Sequence, residues 1–207
     1  MSEENENTKT AFSLLKTFPN PTRENQLETA EFLHACSDAV QLFEKFGKAF
    51  ASLIADMKQN IETLKEKYHE NIVKNQYVER MILGEKKETG VRGMATEALL
   101  WLARELHFYS LFFKYATSNE TEKEQPEEVS SLFRKAYAES LELHHGWLGT
   151  QLVQLLIENV PCNKDFFQMF KLDNNCYKKE RVLHDMRQYN QELMACVSRL
   201  RGFYDEY

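Results

Sequence analysis

Between Met94 and Thr117 the chain reads MATEALLWLARELHFYSLFFKYAT. Leu99, Leu102, Leu106, Tyr109 and Phe113 recur there at steps of three and four, which makes one apolar stripe along a helix. Trp101, Phe108, Phe112 and Tyr115 make a second stripe on a different face. A surface helix of a globular protein needs one such stripe, whereas a helix apolar on two faces is covered on both and lies between layers. The spacing therefore predicts a central helix over 94–117 with the remaining helices packed around it.

Upstream, Leu33, Cys36, Val40, Phe43 and Phe46 predict a helix from Thr29 that ends near Gly47. Phe50, Leu53, Ile54, Met57, Ile61 and Leu64 predict a second over 49–68, and a third follows over 72–86. Downstream of an acidic loop holding Pro126, one long helix is predicted over 129–160, stopped by Pro161. A short helix over 164–170 and a last one over 178–203 complete the pattern. Residues 1–27, broken by Pro19 and Pro21, read as an N-terminal arm in which Phe12, Leu14 and Leu15 can dock as a short helical turn. The domain proper is expected over 28–207. Seven glycines and four prolines among 207 residues are about half the average share. With so few turn residues, an all-β or Rossmann-like fold is excluded in favour of an all-α domain of about eight helices.

Composition narrows the function classes. A net charge of −6 opposes general binding to nucleic acid phosphates. The start, MSEENENTKT, lacks the basic and apolar regions of a secretory leader, and no segment approaches the roughly 18 consecutive apolar residues of a membrane span. A soluble, cytoplasmic protein is expected. Cys36, Cys162, Cys176 and Cys196 show no CxxC spacing, and the six histidines include no pair at i, i+4, so neither a metal site nor a cofactor is expected. HExxH, GxSxG, P-loop and GxGxxG motifs are all absent.

Some polar residues fall where the helical period predicts burial. Asp56 and Asn60 are four apart, with Thr63 three further on, so they share one helix face. They read either as a solvated face or as acceptors and donors for hydroxyl groups. Trp101 suits core packing or stacking against the apolar face of a sugar ring. Glu97 and Arg104 flank it by one turn each and suggest an ion pair. In the helix over 129–160, His144, His145, Gly146 and Trp147 lie mid-helix. His145 shares a face with Leu148, Leu152 and Leu155 and is expected to point inward, which turns Trp147 outward as a membrane-interface anchor.

These residues together resemble the glycolipid transfer protein family, including the homologous domain of a phosphoinositide adaptor protein. The matching pieces are DMKQN with KEKY downstream, ATEALLWLARELHF, FRKAYAESLELHHGW and NVPCNKDFFQMF, in the family's order and spacing from Leu27 onward. The resemblance implies a two-layer helical sandwich that binds one glycosphingolipid, acting as a monomer. It implies that Trp101 stacks on the first sugar, that Asp56 takes the ceramide amide N–H and a sugar hydroxyl, that Asn60 binds sugar hydroxyls, and that His145 donates to the amide carbonyl. Phe50, Phe108, Leu148, Leu152 and Phe166 are implied to line an acyl-chain pocket, and Trp147 to dock on a membrane.

The chain departs from the family pattern at Thr63, where a headgroup lysine is usual, and the given sequence ends with FYDEY (203–207), so the tail that supplies a sugar-contacting tyrosine in some members is expected to be missing. Relatives that carry ceramide-1-phosphate have arginines where this chain has Glu97 and Trp101. An acid and an indole there favour a neutral sugar. The expected function is a non-enzymatic carrier of a neutral glycosphingolipid, transferring it between membranes. A lipid sensor that signals to a protein partner through the acidic stretch 120–128 is the alternative, and a hydrolase using Asp56 and His145 ranks last.

Overall fold

In a computed structural model, which describes residues 9–122, 127–172 and 179–206, the protein is a two-layer all-α sandwich. The helices are α1 (Thr29–Glu44), α2 (Ala51–Glu70), α3 (Val78–Thr89), α4 (Met94–Glu122), α5 (Val129–Ser140), α6 (Trp147–Glu158), α7 (Asn163–Gln168) and α8 (Lys179–Glu206). Cys176, Tyr207 and part of the acidic stretch 120–128 lie outside the described residues.

Helix α4 is central, as its two stripes predict. It packs against α2, α5 and α8, and α3 touches its start. Leu99, Leu102, Leu106, Tyr109 and Phe113 are buried on one side, and Phe108 and Phe112 on the other. Trp101 and Tyr115, at the margin of the second stripe, are half-buried. Aromatic rings fill the space between layers. Phe133 of α5 meets Phe50 at 5.8 Å, Phe108 at 4.7 Å and Phe112 at 5.3 Å, each edge-on, and Phe166 of α7 closes on Phe112 at 5.3 Å. Edge-to-face pairs of this kind add to the burial of apolar area.

The start of α4 is fixed by a single carboxylate. Glu85, buried on α3, accepts the backbone N–H of Ala95 at 3.0 Å and of Thr96 at 2.8 Å, and the Thr96 hydroxyl at 2.6 Å. Two of the helix's unpaired N-terminal donors are thereby satisfied by an anion at the positive end of the dipole. Gly93 makes this possible, because a Cβ there would run into the Glu85 carboxylate. At the other end of α3 the Glu79 carboxylate pairs with Arg199 of α8 at 3.0 Å and accepts the N–H of Leu27 at 3.0 Å, both inside the fold. α8 is further joined to α4 by Asn190 Nδ2 donating to the Ser110 carbonyl at 3.0 Å and by the Tyr204 hydroxyl donating to the Thr96 carbonyl at 2.9 Å.

Two helices differ from the sequence reading, and the N-terminal arm takes the docked form that the reading allowed. The third helix begins at Val78 rather than Ile72, because Thr29 N–H and its hydroxyl bond the Gln76 and Asn75 carbonyls, which holds 75–77 out of helical pairing. Ile72 and Val73 are exposed in the resulting turn. The helix over 129–160 is broken into α5, a single 3₁₀ turn Glu142–His144 and α6, with extended backbone at His145 and Gly146. The N-terminal arm is docked from Thr10 to Phe18. Phe12 and Phe18 are buried, Phe12 packs on Phe113, Phe170 and Tyr189, and the Thr10 hydroxyl donates to Asp185 at 2.7 Å. Leu15 is partly buried there and Leu14 stays exposed.

The anchor at the head of α4 makes a direct prediction. Glu85→Ala removes three hydrogen bonds from a buried site and should destabilise the fold by about 1–3 kcal/mol, read as a lower midpoint in thermal or urea unfolding. An unchanged midpoint would show that α4 is placed by its packing alone.

Candidate functional site

The break between α5 and α6 opens a cavity of about 390 Å³. α2 contributes Leu53, Asp56, Gln59 and Asn60, and α4 contributes Trp101 and Glu105. The remaining wall is Leu141 and His145 from the break and Gly149, Leu152, Val153 and Leu156 from α6. Met57, Ile61 and Leu64 pin the adjoining face of α2 into the core, which leaves Asp56 and Asn60 at the edge of that face, on this cavity. Asp56 is exposed at its mouth, Asn60 and Trp101 are half-buried, and Glu105 is buried with 6% of its surface accessible. Polar groups therefore descend from rim to floor, beside the leucines and valine of α6.

Trp101 presents its ring between two partners. The Arg104 guanidinium lies 4.8 Å from the ring centroid and the His145 imidazole stacks beside it at 6.0 Å with an interplanar angle of 30°. The predicted Glu97–Arg104 pair does not form. Glu97 instead meets Arg92 at 3.8 Å, with both side chains largely in solvent, where such a pair contributes little. The indole is thus half-buried between a guanidinium and an imidazole, and it forms part of the cavity wall.

His145 points inward, but not for the reason the helical face suggested. It sits in extended backbone, with its Nδ1 3.1 Å from the Tyr137 hydroxyl. Burial holds its pKa below the ordinary histidine value, and neighbouring His144 and Arg104 push the same way, so the ring is neutral at neutral pH. The contact fits either neutral tautomer; the one in which the Tyr137 hydroxyl donates to Nδ1 places the ring proton on Nε2 and makes that nitrogen a donor. Gly149 sets how close α6 can come: a Cβ there would stand 3.2 Å from Cβ and Cγ of His145.

The apolar residues named from sequence divide into three groups. Leu152 lines the cavity. Phe50, Phe108 and Phe166 do not, since their rings are closed into the aromatic cluster behind it. Leu148 is exposed with Leu143, Trp147 and Leu155, because the break rotates α6 away from the register that a continuous helix would have. Thr63 also stands outside the cavity, its hydroxyl bonded back to the Gln59 carbonyl at 3.0 Å. Among the described residues no group of three or more His, Cys, Asp or Glu gathers closely enough to hold a metal ion.

Asp56, Asn60, Trp101 and His145, drawn from three separate stretches of chain, thus meet at one cavity in an all-α sandwich. The family model described as glycolipid transfer protein matches residues 27–172, a span that contains all four. The chain belongs to the glycolipid transfer protein family. Glycolipid transfer protein A of Xenopus laevis is 29% identical over 170 residues, covering 80% of this chain and 81% of the relative. Of solved structures, one that describes how FAPP2 selects simple glycosphingolipids using the GLTP fold superposes with a TM-score of 0.81 at 26% identity, over 95% of both chains. The fungal glycolipid transfer protein HET-C2 superposes at 0.79 with 25% identity, over 95% of this chain and 93% of its own. Mouse ceramide-1-phosphate transfer protein, at 15% identity over 95% and 93% of the two chains with a TM-score of 0.75, shares the fold. The family is one of lipid transfer proteins rather than enzymes. Among the described residues no helix is long and apolar enough to cross a membrane.

Glu105 was not singled out in the sequence, although it lies one turn after Trp101 on the same face. Burial, and then the charge of Asp56, push its pKa up to about 8 against a hydrogen-bonding influence from Asn60. A free glutamate ionises near 4.5, so between that value and about 8 the folded chain holds a proton that the unfolded chain releases. Stability should therefore fall as pH rises through this window, by on the order of a few kcal/mol. Glu105→Gln should flatten that fall, measured as unfolding midpoints from about pH 5 to about pH 9. Parallel pH profiles for the two proteins would contradict the protonated assignment.

Proposed function

We propose that this family member is a non-enzymatic carrier of a neutral glycosphingolipid of the glucosyl- or galactosylceramide type, which it moves between membranes as a cytoplasmic monomer. The observation that carries this reading is the convergence of Asp56, Asn60, Trp101 and His145 on one cavity whose inner wall is apolar. A hexose presents C–H bonds on its faces and hydroxyls around its rim. The Trp101 indole suits the faces, and the Asp56 carboxylate and Asn60 amide suit the rim. A ceramide amide buried without partners would cost about 1–3 kcal/mol per group. Asp56 accepts its N–H, and neutral His145 donates to its carbonyl.

The cavity matches a headgroup and amide in size, being at the small end of ligand sites. Two hydrocarbon tails need more room, and the direction available to them is past Leu152, Val153 and Leu156 toward the rings of Phe50, Phe108 and Phe166. Those rings part as the tails enter, exchanging ring contacts for ring–methylene contacts of similar strength. Trp147, Leu148 and Leu155, on the helix that supplies Leu152 and Val153 to the cavity, are exposed apolar side chains, with Trp147 at 74% and Leu148 at 75% accessible. A patch of this kind, headed by an indole, suits the interface of a lipid bilayer and brings the cavity mouth to the lipid it collects. No covalent step is needed, because tail burial in the protein replaces tail burial in the membrane.

Headgroup choice is read from the polar lining. Asp56 sets an acid in the cavity and Trp101 an indole, while the Arg104 guanidinium lies 4.8 Å from that ring and is shared with it rather than clustered with other cations as a phosphate would need. Intervesicular transfer of labelled glucosylceramide beside labelled ceramide-1-phosphate tests the reading. The sugar lipid should move and the phosphate lipid should lag. Trp101→Ala and Asp56→Val should each slow the sugar lipid by about tenfold or more with folding intact. Faster movement of the phosphate lipid would overturn the headgroup assignment.

A further inference from the structure

The floor of the cavity holds a carboxyl group that the reading above leaves without a task. Glu105 lines the cavity, is 6% accessible, and its Oε2 is fully enclosed with no hydrogen-bond partner among the described residues. An unpartnered buried carboxyl oxygen is costly, and a position that keeps one beside an open cavity has a use for it when the cavity is filled. Its place on α4 suggests its target: one helical turn beyond Trp101, it is more buried than the indole and shares the cavity wall with the buried Leu141, Val153 and Leu156. On the glycosphingolipid reading, the part of the lipid nearest such a position is the link between sugar and tails.

We propose that Glu105 is a further ligand-binding residue, one that hydrogen-bonds an oxygen of the uncharged linkage between sugar and tails and so helps to set which lipids fit. The inference rests on the glycosphingolipid reading of the same cavity. A linkage oxygen that carries no hydrogen, an ether or amide carbonyl oxygen, requires the carboxyl group to act as donor, hence protonated. The surroundings agree with that state, since burial and the Asp56 charge both favour the neutral acid. Two carboxylates side by side in this cavity would repel each other, so the two acids divide the work. Asp56, at the rim, accepts from N–H and hydroxyl groups, and Glu105, at the floor, donates. An anionic linkage such as a phosphodiester would still meet the Asp56 charge in the same cavity.

The groups facing Glu105 come from three elements besides α4. They are Asp56 and Asn60 of α2, Cys36 of α1, and His145 from the break between α5 and α6; on α4 itself Tyr109 lies one turn on, its hydroxyl also buried and unpartnered. Burial holds the His145 ring below its usual range and lifts Cys36 and Tyr109 well above theirs, so none of these three changes charge near pH 8.

The test is equilibrium binding of the full chain to phosphatidylcholine vesicles carrying glucosylceramide, from about pH 6 to about pH 9, for wild type, E105Q and E105L. Wild-type affinity should hold at the acid end and fall about tenfold as the pH passes about 8. E105Q, which keeps a donor that cannot ionise, should retain the acid-end affinity across the range. E105L should bind about tenfold more weakly at the acid end, with no fall at higher pH. Should E105L not fold, the comparison of wild type with E105Q still decides. Binding by E105L equal to that of wild type, or an E105Q profile that falls in parallel with wild type, would overturn the role given to Glu105 while leaving the glycolipid reading in place. Failure of the wild type to bind glucosylceramide at any pH would overturn that reading and this inference with it.

Discussion

A helix that is apolar on two faces can be stable in water only if both faces are covered, and the architecture follows from meeting that demand for α4. Covering one side brings α8 and the docked arm, and covering the other brings α2 and α5. α4 also carries Trp101 and Glu105, so the helix that organises the core supplies one wall of the candidate site. The Glu85 carboxylate at its first turn fixes its register along its own axis. A slide of α4 by one residue would carry the indole and Glu105 about 100° around the helix and out of the cavity.

The second constraint is the interruption between α5 and α6. Had the chain continued as one helix, His145 would be confined to a helical position, and α6 would stand along α5 rather than across the cavity. Extended backbone at His145 and Gly146 lets the imidazole lie between the Tyr137 hydroxyl and the Trp101 ring. The same interruption leaves Leu148 and Trp147 facing outward. A single local departure from helical geometry therefore builds the inner donor and the exposed apolar side chains together.

The chain's organisation around 94–117 was legible because two stripes over one segment leave no other solution, and Asp56 with Asn60 were legible because a spacing of four fixes a shared face. The break at 141–146 was not. Apolar residues keep a helical period from Val129 to Ile157, and one glycine costs only about 1 kcal/mol in a helix interior, too weak a mark against so regular a pattern. What breaks the helix is tertiary, since the imidazole packs on rings from α4 and α5. Glu105 escaped for the opposite reason: its position on the face of Trp101 points to burial, while its chemistry makes exposure the default. For Phe50, Phe108 and Phe166, periodicity identified burial, but which buried rings face a cavity depends on how they pack against one another.

The central claim is that the cavity framed by α2, α4 and the α5–α6 break is where a sugar lipid is held by its headgroup. The most direct measurement is a crystal structure of the full chain with glucosylceramide. The account predicts a hexose ring lying on the Trp101 indole, the amide between Asp56 and His145, and tails running past Leu152 into the space now closed by the aromatic rings. A lipid bound elsewhere on the protein, or held by its tails with the sugar out of reach of Trp101 and Asp56, would contradict it.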